Sequence, residues 1–195
     1  YDGTINIGDD VSNVTSNNLV AATITGNDLV SVDVTGVLDP NATTADKLGP
    51  QLDFSSQGDL ESVKLAGKIY STSIATNGNL TSVTISGIVQ NAISIDGNSD
   101  LTAVTLTGST ASGITINNNS DLETLTVDTT FAAGISSAGV VATAGINGSV
   151  IVTDNESLET LTVSSDKIET LTVTGNDDLT TIAFTGVATF GATAK

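Results

Sequence analysis

The stretch DGNSDLTAVTLTGSTASGITINNNSDLETLTV, from Asp96 to Val127, contains one pattern twice. The letters NSDL at positions 98–101 recur at 119–122, and the apolar residues at 104 and 106 recur at 125 and 127, each 21 residues later. A fixed period of this length is the signature of a repeat architecture, in which one small structural unit is stacked on the next. The period therefore decides the fold before any single residue is interpreted.

The same pattern extends over most of the chain. Its core is a leucine followed by apolar residues three and five positions later, and it occurs from Leu60, Leu80, Leu101, Leu122, Leu158 and Leu179. The matched central positions Val63, Val83, Val104, Leu125, Leu161 and Ile182 are separated by 20, 21, 21, 36 and 21 residues. The interval of 36 indicates an insertion into an otherwise constant unit.

A second short apolar segment precedes each leucine motif. It begins eight residues before the next motif leucine, as in Ile93–Ile95, Ile114–Ile116, Val150–Val152 and Leu171–Val173. Alternation of apolar and polar residues between Asn, Asp and Gly turns is typical of β-strands. We therefore predict an all-β fold, a β-solenoid with two strands in each coil of about 21 residues, forming one domain over 1–195. A β-sandwich is the alternative, but it does not explain the constant interval.

Two segments interrupt the period. Residues 37–50 contain both prolines, and their stretch 41–48 is compatible with one or two helical turns, although a loop is the simpler interpretation. Residues 128–149 hold the insertion of about 15 residues. We predict irregular excursions from the solenoid at both places.

Composition excludes several functions. The chain of 195 residues has 22 acidic residues, five lysines and no arginine or histidine, with a formal net charge of −17. Without a basic patch it is not expected to bind nucleic acid or an anionic membrane surface. No apolar stretch is long and uninterrupted enough to insert into a membrane as a helix. The absence of cysteine, methionine and tryptophan fits an extracellular location.

The repeats resemble a known class of solenoid. The segment from Ile114 to Val127 looks like the strand and following ladder of leucine-rich-repeat relatives, especially receptor L-domain-like solenoids. The segment from Leu80 to Ile85 is similar to bacterial surface leucine-rich repeats of the BspA-like type. The resemblance covers roughly residues 52–186 and lacks the cysteines and helical segments of many such repeats. It implies an extracellular binding or structural role and no catalytic residues.

The turns carry recurring oxygen-bearing side chains. Because carboxylate and amide oxygens in repeated turns can hold Ca²⁺, the candidate ligands are Asp96, Asn98, Asp100, Asn119, Asp121, Asp154, Asn176 and Asp178. The glycine-rich signature of calcium-binding β-rolls is absent. Asn and Asp also favour turns because they tolerate left-handed dihedrals and bond their own backbone. We favour this second interpretation, and no other cofactor is expected.

Threonines occupy many of the expected outward positions. Pairs such as Thr105 with Thr107 and Thr124 with Thr126 would form a flat hydroxyl array, which is suited to docking on a regular lattice such as ice. Threonine is also simply a preferred residue of exposed strands. Asp33, Lys64 and Asp128 would interrupt the array.

Catalysis is not expected. Histidine and cysteine are both absent, which removes the common nucleophile and base pairs. A carboxylate pair remains conceivable for glycoside hydrolysis, but the acids recur with the fold as a solvated surface would. We predict a protein that is not an enzyme.

The ends of the solenoid provide the functional hypothesis. Open strand edges promote association unless they are capped, and neither end of the sequence shows a polar cap. Either the sequence is a fragment of a longer rod, or its ends stack on neighbouring subunits. Ile5, Ile7, Val187 and Phe190 are the candidate assembly residues. We expect an extracellular or cell-surface structural protein that self-associates end to end into a filament, fibre or layer. The alternatives are an adhesin that binds a glycan or protein, and an ice-binding protein.

Overall fold

The computed structural model describes residues 4–7, 13–16, 21–24, 30–35, 51–69, 71–89, 91–110, 113–129, 146 and 148–188. Within these ranges every regular element is a β-strand and no helix occurs. The segment 37–50 and most of 128–149 lie outside the described residues, so the predicted excursions and the short helical segment are not compared with the structure.

Seventeen short strands make up the described array. In chain order they are β1 (Thr4–Ile7), β2 (Asn13–Ser16), β3 (Ala21–Ile24), β4 (Ser31–Thr35), β5 (Gln51–Ser55), β6 (Ser62–Ile69), β7 (Ser71–Ala75), β8 (Ser82–Val89), β9 (Ala92–Asp96), β10 (Ala103–Leu106), β11 (Ser109–Thr110), β12 (Gly113–Asn117), β13 (Thr124–Asp128), β14 (Ser149–Thr153), β15 (Thr160–Ile168), β16 (Thr170–Thr174) and β17 (Thr181–Ala188).

The strands form two parallel sheets, and each coil contributes one main strand to each. The first sheet has the order β1-β3-β5-β7-β9-β12-β14-β16. The second has the order β2-β4-β6-β8-β10-β13-β15-β17, and β11 pairs with β8 beside this path. All pairings are parallel, because the chain returns to the same side of the molecule once in each coil. The predicted β-solenoid is confirmed.

The strand register reproduces the sequence period. Val104 lies directly opposite Val83 on one side and Leu125 on the other. Leu125 lies opposite Leu161, although 36 residues separate them. Ile114 and Val150 are paired in the other sheet across the same interval. Residues 128–149 therefore interrupt the sequence period without interrupting either sheet.

The core is a narrow apolar column between the two sheets. The inward residues of alternate strand positions are almost completely buried, among them Leu65, Ile85, Leu106, Val127 and Val163. Full burial of an aliphatic side chain is worth about 1.5–3 kcal/mol, so stacked coils supply one another with the burial that a single coil lacks. The motif leucines Leu60, Leu80, Leu101, Leu122 and Leu158 close the column at the turn between the sheets.

Candidate functional site

A short turn joins each strand of the first sheet to the following strand of the second. In Asn98-Ser-Asp-Leu101 the Leu101 N–H donates to the Asn98 carbonyl (3.3 Å), and the corresponding bond closes the turn at Asn119 and Leu122 (3.2 Å). The motif leucine points into the core, whereas Asp100 and Asp121 are exposed. Each turn thus presents one face to the core and one to solvent.

One residue in this corner has a left-handed backbone in every described coil from Ser56 onward. The set is Ser56, Thr76, Gly97, Asn118, Asp154 and Gly175, with φ between 55° and 65°. This region favours Gly, Asn and Asp. The bend precedes the residue that points its amide into the solenoid, so the corner orients that side chain.

The residues that follow the bend form an asparagine ladder, which we define as Asn77, Asn98, Asn119, Asn155 and Asn176. The first four are completely buried, and the fifth is half-buried. Buried polar groups need hydrogen-bond partners, and the ladder provides them from one coil to the next. It is therefore a structural spine within the apolar column.

Asn98 shows the geometry of a ladder residue. Its backbone N–H and its Nδ2 both donate to Oδ1 of Asn119, each at 3.0 Å. Its Nδ2 also donates to the Ile74 carbonyl at 3.1 Å. Its own Oδ1 accepts from the backbone N–H and the Nδ2 of Asn77, each at 3.0 Å. Both lone pairs of that oxygen are therefore engaged.

The ladder has a direction. Each residue donates to Oδ1 of the next coil toward the C-terminus, as Asn119 does to Asn155 (3.1 Å) and Asn155 to Asn176 (3.0 Å for the backbone N–H). Gln57 occupies the equivalent position one coil before the ladder, and its N–H donates to Oδ1 of Asn77 at 2.8 Å. The longer side chain of Gln57 donates to the Ser55 carbonyl instead, and its buried Oε1 has no partner.

The predicted calcium ligands separate into two groups in the structure. Asn98, Asn119 and Asn176 belong to the ladder: Asn98 and Asn119 donate to the next ladder residue, and Oδ1 of Asn176 accepts from Nδ2 of Asn155. Asp100, Asp121, Asp154 and Asp178 are exposed, whereas Asp96 is half-buried and accepts a hydrogen bond from Nδ2 of Asn117 at 2.7 Å. No group of three or more acidic residues in the described ranges is arranged to hold a metal ion. Calcium binding by the exposed acids stays a prediction.

The outward face of the second sheet carries a column of hydroxyl groups. Thr84, Thr105, Thr126 and Thr162 lie directly opposite one another in successive strands. The column continues toward the N-terminus through Lys64 and Asp33, which form an exposed ion pair of 3.3 Å. Asp128 lies two positions further along its strand, opposite Ser164. The predicted threonine column therefore exists over four coils, with charges at its N-terminal end.

The described array ends on an exposed apolar coil. Ile182 of β17 is 55% exposed, whereas its register partner Leu161 is completely buried. Leu171 and Phe184 are only partly buried in the same coil. The same register positions hold buried residues in the preceding coils from Leu52 onward, so the end of the described array presents such positions to solvent.

The predicted assembly residues fall at or near the two ends. Ile5 and Ile7 lie in β1, the terminal strand of the first sheet, and Val187 lies in β17, the terminal strand of the second. Phe190 lies outside the described residues. Ile182 was not predicted as an assembly residue, although the 21-residue series places it at a core position.

Sequence reasoning also missed the ladder. The sequence does mark the ladder positions by spacing. Each ladder residue lies three residues after the second inward residue of a strand in the first sheet, as Asn77 follows Ile74. Counting in the same way from Ile24 and Ile7 reaches Asn27 and Asp10, which lie outside the described residues.

Comparisons with protein-family models, with curated proteins and with solved structures gave no significant match. In the described part of the chain, no helix is both long and apolar enough to cross a membrane.

Proposed function

We propose that this protein is an extracellular, non-enzymatic structural subunit that assembles end to end into a filament, fibre or surface layer. The observation that carries the proposal is the open terminal coil, where Ile182 is 55% exposed in a position that is completely buried one coil earlier. An exposed edge of this kind favours addition of another strand. A second copy of the chain supplies such strands.

The charge distribution favours ends over sides as the place of contact. Exposed acids such as Asp100, Asp121, Glu123 and Glu159 lie on the turns along the length of the array. With a net charge of −17, lateral contact between two such surfaces is opposed by like-charge repulsion. The terminal coil offers apolar side chains and strand edges instead, so association is directed along the stacking axis.

Within this proposal, the solenoid is a surface protein of the leucine-rich-repeat-like, BspA-like type. The leucine-rich-repeat pattern places an asparagine three residues after the second apolar residue of its strand. Ile114, Ile116 and Asn119 have this spacing, and the same spacing recurs at Ile93, Ile95 and Asn98. This correspondence, together with the absence of oxidisable cysteine and methionine, supports the extracellular location.

Assembly is tested by sedimentation and electron microscopy of the purified chain. The described coils alone span about 40 Å at the strand spacing of about 4.8 Å, so particles several times longer indicate end-to-end assembly. Ile182→Lys places a charge on the terminal apolar surface and is expected to abolish the long particles. Thr126→Lys adds the same charge on the outward face in the middle of the array and is the matched control. A wild-type chain that remains monomeric at high concentration refutes the proposal.

A second candidate function is ice binding through the outward face of the second sheet. The observation in its favour is the uninterrupted column of Thr84, Thr105, Thr126 and Thr162. Measurement of thermal hysteresis with the wild type and with Thr126→Lys distinguishes it from assembly. Ice binding requires hysteresis that the substitution removes, whereas the assembly proposal requires none.

A further inference from the structure

The two ends of the described array are formed by different strands. At the C-terminal end, β16 is the terminal strand of the first sheet and β17 that of the second. At the other end the terminal strands are β1 and β2. Since both sheets are parallel throughout, a copy stacked in the same orientation continues both sheets as parallel ones. A copy in the reverse orientation would have to pair antiparallel.

The register columns are continuous from one end of the described array to the other. In the second sheet, the register runs through Val14, Val32, Val63, Val83, Val104, Leu125, Leu161 and Ile182. In the first sheet, Ile5 and Leu171 occupy the two ends of one register column. Stacking a second copy in the same orientation therefore places Val14 over Ile182 and Ile5 over Leu171, so the exposed apolar surface of one end meets apolar positions at the other.

The asparagine ladder adds a directional requirement. Each ladder N–H donates to the coil on its C-terminal side, and the N–H of Asn176 has no acceptor among the described residues. Toward the N-terminus the described bonds of the ladder end at the N–H of Gln57, which donates to Asn77. In a copy stacked in the same orientation the ladder bonds keep their direction, whereas in a reversed copy they run the opposite way.

We infer that the end-to-end contact is head to tail and in register, with β16 and β17 of one copy pairing with β1 and β2 of the next. This inference rests on the proposed assembly and specifies its interface. A head-to-tail contact is heterologous, so it does not close on itself in a pair and propagates into a filament or ring. The partner is thus a second copy of this chain in the same orientation, and growth has a direction.

Complementation between two blocked variants tests the orientation. Ile182→Lys blocks the C-terminal end and leaves the N-terminal end intact, whereas Val14→Lys does the reverse. If contact is head to tail, each variant alone sediments as a monomer and their equimolar mixture sediments as a dimer of twice that mass. If like ends pair, one or both variants dimerise alone, which overturns the inference while leaving end-to-end assembly intact. Circular dichroism of each variant verifies that it is folded.

Disulfide trapping tests the register without blocking the interface. Thr15 and Ala183 belong to one register column, so head-to-tail stacking places them on adjacent strands about 4.8 Å apart, within the Cα range of about 4.4–6.8 Å for disulfides. Because the chain has no cysteine of its own, crosslinking of Thr15→Cys with Ala183→Cys has no background. Asn13→Cys is the negative control, because Asn13 lies two residues before Thr15 in β2 and is therefore out of register with Ala183. The pair Thr105→Cys and Thr126→Cys, directly opposed within the chain, is the positive control.

The outcomes separate the inference from the proposal on which it rests. Crosslinks between positions 15 and 183 support head-to-tail stacking. If filaments crosslink only between two copies of position 15 or two copies of position 183, the inference is overturned and end-to-end assembly is retained. The same conclusion follows if filaments form no crosslink between copies although positions 105 and 126 crosslink within the chain. A wild-type protein that forms no particle longer than one subunit overturns both.

Discussion

Replacing Asn98 by alanine is expected to destabilise the solenoid by about 1–3 kcal/mol. The substitution leaves the buried N–H of Asn77 without its acceptor, whereas the Ile74 carbonyl lies in a strand paired on both sides and is not counted. Each buried group left unsatisfied costs about 1–3 kcal/mol. The Nδ2 of Asn77 retains its bond to the Phe54 carbonyl, and Oδ1 of Asn119 retains the backbone N–H at position 98, so neither is counted. The loss is a large part of the roughly 5–15 kcal/mol that stabilises a typical domain.

Chemical denaturation followed by circular dichroism measures this loss, and Asn79→Ala is the matched control. Asn79 lies in the neighbouring turn, but it is exposed, and its Nδ2 donates to the Gly58 carbonyl at 2.8 Å. Its replacement is expected to cost less than about 1 kcal/mol. Hydrogen exchange of the Asn77 amide should accelerate in Asn98→Ala and not in the control. Equal stabilities of the two variants, or unchanged protection of that amide, would refute the structural role of the ladder.

Three further predictions concern the same corner of the coil. Gln57→Asn should raise the free energy of unfolding by about 1–2 kcal/mol, because it removes the unpartnered buried Oε1 and gives this position the same side chain as the ladder residues. A lower unfolding midpoint would contradict this. Gly175→Ala should cost slightly more than Gly97→Ala, because both have φ of 65° but only at Gly175 does the new Cβ displace the Asp154 carboxylate and lie 3.3 Å from the backbone N of Asp154; equal melting temperatures would remove that contact as the reason. Thr76→Asn should gain about 0.5–1 kcal/mol, because asparagine tolerates φ of 55° better than a β-branched residue, and thermal unfolding measures it.

The fold could be predicted because its signal is long-range and repeated. Val63, Val83, Val104 and Leu125 share a position in the sequence period, and they are direct register partners in the second sheet. A single apolar segment of this length would be ambiguous, but identical spacing in successive copies can only be satisfied by stacking. The strand β2 was not predicted, since Asn13–Ser16 lacks the leucine that begins the later motifs.

The ladder could not be predicted from local sequence preferences. Asn98 and Asn119 were interpreted as turn residues and as candidate calcium ligands, because asparagine is common in turns for reasons of its own backbone. Whether such a side chain points outward or into the core depends on the left-handed residue before it, and Gly97 and Asn118 fill that position with different residue types. The periodic position of asparagine was visible, but its direction required the structure.

The coil that contains residues 128–149 has a mechanical consequence. Leu125 and Leu161 are adjacent in the sheet although 36 residues separate them, whereas ladder neighbours elsewhere are 21 residues apart. Every coil adds the same rise of about 4.8 Å to the rod, whatever its length. Under tension along the axis, unwinding one ordinary coil would release about 70 Å of chain and this one about 120 Å. The proposed fibre would lengthen as one coil after another unwinds, and its longest single extension would come from the coil with the most residues.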